Sequence, residues 1–200
     1  TTGSQNVAVG YASLANSTTA SDNVSIGYTA LLANTTGNRN VAIGSLSAIT
    51  NTTGNNNTAV GYQTLNLNTT GVANTAIGSE VLKANISGIG NVGVGRLVLL
   101  NNTTGNHNVG LGSETLTTNT TGSNNVGLGN GALILNTTGS GNVALGLTAL
   151  YDNTVGISNI GIGTEAMVSN KAGSNGIAIG NNAMFYANNT TTPYTNTNIA

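Results

Sequence analysis

Cysteine and tryptophan are absent from this 200-residue chain, which has one proline, one phenylalanine and one histidine. Without cysteine there is no disulfide framework and no thiolate metal site, and a lone histidine cannot build a usual metal centre or catalytic triad. Charge is almost as scarce. Four Lys and Arg stand against five Asp and Glu, 4% of the residues, where an ordinary soluble domain carries about 25%. That balance supplies no basic field for phosphates or an anionic membrane, so nucleic acid is not expected as a partner. No run approaches the ~20 apolar residues that span a bilayer, and the N-terminus carries no basic-then-apolar leader pattern. Any export signal or anchor is expected outside this segment. What is left is Gly, Asn, Thr and small aliphatic residues, which predict a neutral surface rich in amides and hydroxyls, suited to a fibre.

Those residues recur with a fixed period. A glycine closes a five-residue string of the type N-V-A-I-G at Gly10, Gly27, Gly44, Gly61, Gly78, Gly95, Gly112, Gly129, Gly146, Gly163 and Gly180, always 17 residues apart. The string opens on Asn in every copy from Asn6 to Asn159; the eleventh has Gly176 instead. A second Asn column, Asn34 to Asn170, precedes by three residues the glycine of an N-T-T-G segment in most copies. Alternation of apolar and small residues within the string predicts a short β-strand with one buried face. The apolar position four residues beyond the strand glycine (Leu14, Leu31, Leu65, Leu82, Leu99, Leu116, Leu133, Leu150, Met167, Met184) predicts a second short strand across the same core. N-T-T-G reads as the corner that returns the chain. A 17-residue helical repeat is excluded by its Gly, Asn and Thr content.

The fold class that follows is all-β, a parallel β-solenoid of eleven 17-residue coils stabilised by neighbour contacts. Residues 1–200 form a single repeat segment, with a five-residue insertion near 188–197 around Thr192, Pro193 and Tyr194. Both ends fall in mid-repeat, as expected for a piece of a longer fibre.

Each shared position becomes a column along the rod. The Asn column either passes amide hydrogen bonds from rung to rung or simply suits the turn before a strand. The strand centre is never larger than Ser: Ala8, Ser25, Ala42, Ala59, Ala76, Gly93, Gly110, Gly127, Ala144, Gly161 and Ala178. Taken as pointing away from the coil's interior, these residues are the candidate interface with sister chains. Crowding inside the coil is the competing explanation.

The iterated NVAIG string with its small-residue-plus-Leu step resembles the YadA-like head repeat of trimeric autotransporter adhesins, a repeat also found in phage and virus tail-fibre shafts. The resemblance spans Asn6 to Asn182. It implies a left-handed parallel β-roll, three parallel chains, and a role in surface projection and attachment. The chain departs from the adhesin form in joining Asn directly to Val and in its longer corner.

Sites for chemistry are lacking. Glu80, Glu114 and Glu165 share one repeat phase but lie two and three coils apart, at least ~10 Å along the rod, too far for a retaining carboxylate pair. His107 reads as a corner residue. Sequons recur at Asn34, Asn51, Asn68, Asn85, Asn102, Asn119 and Asn136, with a spacing the turn already explains. No catalytic, cofactor or metal site is expected, and the chain is not expected to be an enzyme. The leading reading is the rigid shaft or head of a homotrimeric surface adhesin or phage tail fibre, extracellular or on a virion, its partners being sister chains and a receptor the sequence does not name. A self-assembling extracellular filament and an ice-binding solenoid using the paired Thr columns are the alternatives.

Overall fold

The computed structural model describes residues 2–185 together with the Tyr194–Thr195 pair. The chain is a parallel β-solenoid. Each N-V-A-I-G string forms a strand: β1 (Val7–Val9), β2 (Val24–Ile26), β3 (Val41–Ile43), β4 (Thr58–Val60), β5 (Thr75–Ser79) and β6 (Val92–Arg96) are followed by β7 (Val109–Leu111), β8 (Val126–Leu128), β9 (Val143–Leu145) and β10 (Ile160–Ile162). The series ends at β12 (Ile177–Ile179), after the short β11 (Gly173–Ser174). These eleven strands make one sheet in chain order, every pair parallel, with residues 17 apart in register, as in Val24↔Val41 and Ile43↔Val60. No helix occurs among the described residues. A second, two-residue pairing joins β11 to β13 (Tyr194–Thr195) in parallel. Otherwise the insertion expected near 188–197 lies outside the described residues.

Between strands the backbone also bonds from coil to coil. Leu31 N–H donates to Ser47 O at 3.1 Å, Thr35 N–H to Thr52 O at 3.0 Å and Thr29 N–H to Tyr11 O at 2.9 Å. The last of these reaches the preceding coil and the first two reach the following one. One coil satisfies little by itself; its neighbours on both sides complete it.

The second strand expected at the Leu column does not form. That segment is a turn with left-handed residues two positions apart: φ is 52° at Thr29 and 47° at Leu31, 52° at Gln63 and 48° at Leu65. A left-handed backbone costs an L-residue roughly 1–2 kcal/mol. Coil-to-coil bonds offset that cost, Thr29 N–H reaching the preceding coil and Leu31 N–H the following one, while Leu still reaches the core. Leu31, Leu65, Leu82, Leu99, Leu116, Leu133, Leu150 and Met167 are all fully buried in one column.

The opposite wall of the core is the strand centre, and this corrects the expected outward interface. Ser25, Ala42, Ala59, Ala76, Gly93, Gly110, Gly127, Ala144, Gly161 and Ala178 face the coil's own interior and are buried. Ala8, in the first described coil, is exposed. The physical reason is the narrowness of the coil. At Gly93, Gly110 and Gly127 the strand centre meets the side chain that lies twelve residues earlier, across the core, and a bulky partner there leaves no room for a methyl, whereas Gly161 packs against Leu150. A methyl group on Gly93 would come within 2.5 Å of Val81 Cγ1, one on Gly110 within 2.5 Å of Val98 Cγ1, and one on Gly127 within 2.5 Å of Thr115 Cγ2. Ala30 before Ala42 and Ala132 before Ala144 are small pairs in which the strand centre is Ala, while Gly161 follows Ala149. Serine at both places gives a Ser13 to Ser25 hydroxyl bond of 2.6 Å, and Ser25 donates in turn to Ala30 O at 2.8 Å.

The strand-end glycine is required by the stack itself. Gly27 has φ +137°, and a methyl there would lie 2.5 Å from the carbonyl oxygen of Gly44 in the next coil.

Candidate interaction surface

With the strand centres turned inward, the flanking Val, Ile and Leu residues form the outer face of the sheet. They make two columns running the length of the rod, one through Val24, Val41 and Val92, the other through Ile26, Ile43 and Ile77. The first column is half-buried from Val24 onward, and the second is half-buried or exposed, reaching 57% exposure at Val9 and 60% at Ile179. No charged residue occupies either column. Eleven strands at ~4.8 Å and three residues of width give a strip of roughly 50 Å by 10 Å, or ~500 Å². That is near the top of the ~300–600 Å² range of the largest apolar patch on a typical monomer. The regularity matters as much as the area, because a flat, repeating apolar strip matches another copy of itself. Beside it, just after β1 and β2, Tyr11 and Tyr28 follow the strand glycines and stack with ring centroids 5.4 Å apart and planes 12° from parallel.

The two Asn columns are interior structure. Asn40 N–H donates to Asn23 Oδ1 at 2.9 Å, and Asn57 N–H to Asn40 Oδ1 at 3.0 Å. Side-chain rungs add Asn74 Nδ2 to Asn57 Oδ1 at 3.2 Å and Asn91 Nδ2 to Asn74 Oδ1 at 3.2 Å. Both sequence explanations therefore hold: the column is an amide ladder, and its shortest bonds cap the turn backbone. The second column runs from side chain to side chain, with Asn85 Nδ2 donating to Asn68 Oδ1 and Asn102 Nδ2 to Asn85 Oδ1, each at 2.8 Å. The columns meet at the corner glycine, where Gly54 O accepts from Asn40 Nδ2 at 2.8 Å and from Asn51 Nδ2 at 3.1 Å. Among the described residues no buried side-chain nitrogen or oxygen lacks a partner.

This geometry removes the sequons from the surface. Asn34, Asn51, Asn68, Asn85, Asn102, Asn119 and Asn136 are buried to 1% exposure or less. Their amide nitrogens are committed to ladder and corner, so the folded coil has no room for a glycan on them. The Thr columns are also split. Thr35, Thr52, Thr69, Thr103, Thr120 and Thr137 turn their hydroxyls back to carbonyl oxygens of the next coil at 2.9 to 3.1 Å. Only the second column, Thr36, Thr53, Thr70, Thr104, Thr121 and Thr138, faces out, so the paired outward array that ice binding would use is not present.

Four charged residues form two ion pairs. Lys83 Nζ lies 2.7 Å from Glu80 Oε2, and Arg96 bonds Glu114. Exposed pairs of this kind contribute ~0–1 kcal/mol. His107 is exposed at a corner, with φ 55° and its N–H on Ile89 O at 2.9 Å. No group of three or more His, Asp or Glu side chains suited to a metal ion occurs among the described residues. The outer apolar strip, the candidate interaction surface, was not read from the sequence. Its signal was the bulk of the residues flanking each strand centre against the smallness of the centre itself. Comparison with protein-family profiles, with curated proteins and with solved structures finds no match.

Proposed function

We propose that the chain is a non-catalytic, rigid segment of an extracellular or virion fibre, in which parallel copies, three in the arrangement the adhesin resemblance implies, pack their apolar strips together. The observation that carries this reading is the charge-free outer sheet face, apolar at all but Thr58 and Thr75, along the eleven described strands. Water would not favour Val and Ile there, and covering them gains about 25 cal/mol per Å² of apolar surface removed from water. The coil needs no help from a partner to fill its own core, so association serves length and stiffness. The resemblance to YadA-like head repeats points the same way, toward projection of an attachment element carried elsewhere in the fibre.

Sedimentation equilibrium tests this. The chain is expected at three times its 19.8 kDa mass, and an Ile43→Glu/Ile77→Glu variant is expected as a folded monomer. A wild-type monomer at micromolar concentration, or a variant that keeps the multi-chain mass, overturns the reading.

A further inference from the structure

Near-identical coils create an alignment problem. Sliding one chain past another by a single coil restores almost the same apolar strip, so the strip alone selects no register. One feature breaks the repetition. The first outer column is Val or Ile in every strand of the main sheet except β4 and β5, where it is Thr58 and Thr75. The two are direct cross-strand partners. Both are half-buried, and neither hydroxyl has a hydrogen-bond partner among the described residues. Many other buried or half-buried Thr hydroxyls are committed inside the chain, such as Thr115 to Gly129 O at 2.7 Å and Thr118 to Ile134 O at 2.7 Å, while the Thr36 to Thr138 column is exposed to solvent.

We propose, resting on the self-association reading above, that the Thr58–Thr75 pair sets the register of sister chains. In parallel chains at equal height the four or six hydroxyls meet one another and can exchange hydrogen bonds. A slip of one coil pairs Thr75 of one chain with Thr58 of the next but leaves the other hydroxyl of each chain against Val41 or Val92. A slip of two coils leaves every hydroxyl against an apolar residue. A covered hydroxyl without a partner is disfavoured, while a satisfied one is tolerated. A single polar position performs the same discrimination in coiled coils, at some expense in stability.

The absence of cysteine makes the test clean. Chains carrying Ile43→Cys or Val60→Cys are mixed, refolded together, oxidised so that zero-length disulfide cross-links form only between cysteines whose Cα atoms lie within about 7 Å, and analysed by mass spectrometry. Aligned chains give 43–43 and 60–60 links; a one-coil slip gives mixed 43–60 links. In the Thr58→Val/Thr75→Val background the mixed fraction is expected to rise by roughly tenfold, as one unpaired hydroxyl per chain implies. Thr58→Ser/Thr75→Ser, which keeps both hydroxyls, is expected to restore alignment. A mixed fraction that the Val substitutions leave unchanged, in protein that still sediments as several chains, overturns the register role alone. Protein that sediments as a monomer and gives no cross-links overturns the association reading, and this one with it.

Discussion

On β7 the chain turns Gly110 to the interior and Val109 and Leu111 to the outside; on β3 it turns Ala42 inward and Val41 and Ile43 outward. The larger apolar residues of this sheet thus face away from the core that the same chain builds. In an ordinary half-buried strand the bulky apolar face is the inner one. The difference teaches that volume, rather than hydrophobicity, assigns the inner face of a coil only one side chain deep. Leu from the turn fills that core, leaving room opposite for little more than a methyl. The outer face is then free to serve a different contact.

Breaking the inner side is expected to have the largest effect. Leu82→Ala should cost about 2–5 kcal/mol, with hydrogen-exchange protection lost at its own coil and fading over neighbouring ones; uniform loss along the rod would count against nearest-neighbour stacking. Ala59→Leu should destabilise the coil by about 1–3 kcal/mol through overpacking, a loss readable by chemical denaturation even in a variant made monomeric. If Ala59→Leu instead leaves the monomer's stability intact and changes only assembly, the inward placement is wrong.

Gly110→Ala should cost about 1 kcal/mol, since Val98 must shift to admit the methyl. Val98→Ala should relieve that cost, and a double-mutant cycle with no coupling would dismiss the size compensation across the core. Val60→Thr, on the outer face, should change monomer stability by no more than about 0.5 kcal/mol while weakening association, measured as a shift in sedimentation equilibrium.

The strand positions, their parallel register and the corner role of N-T-T-G were legible, because a 17-residue identity forces like residues to stack. Which side of the strand faces inward was not. The pattern Val-Ala-Val is the same whichever side is buried, and only the partner at Val81, Val98 or Thr115, twelve residues away in sequence, decides it. The turn at Leu31 was misread as a strand because Leu suits either structure. A signal was available: its column holds Leu, Ala and Met but never Val or Ile, in a chain rich in both. β-branched residues are poorly suited to a positive φ. The Thr58–Thr75 break was visible from the start, but it has meaning only once the column is known to face outward.

The coil-to-coil hydrogen bonds have a mechanical consequence. They lie along the rod, so a pull on its two ends loads the coil contacts in series, and the weakest contact determines the force at which the rod yields. The side-chain rungs of the first Asn column end at Asn142, since Asn159 Nδ2 turns to Asn153 Oδ1 at 3.3 Å, and the next position, Gly176, offers only its backbone N–H to Asn159 Oδ1 at 2.9 Å. Each coil that peels away exchanges one interstrand rise of ~4.8 Å for 17 residues of chain, about 56–61 Å when extended. A rod of this kind would lengthen under load in discrete steps, more than tenfold per coil, giving way one layer at a time before the covalent chain is strained.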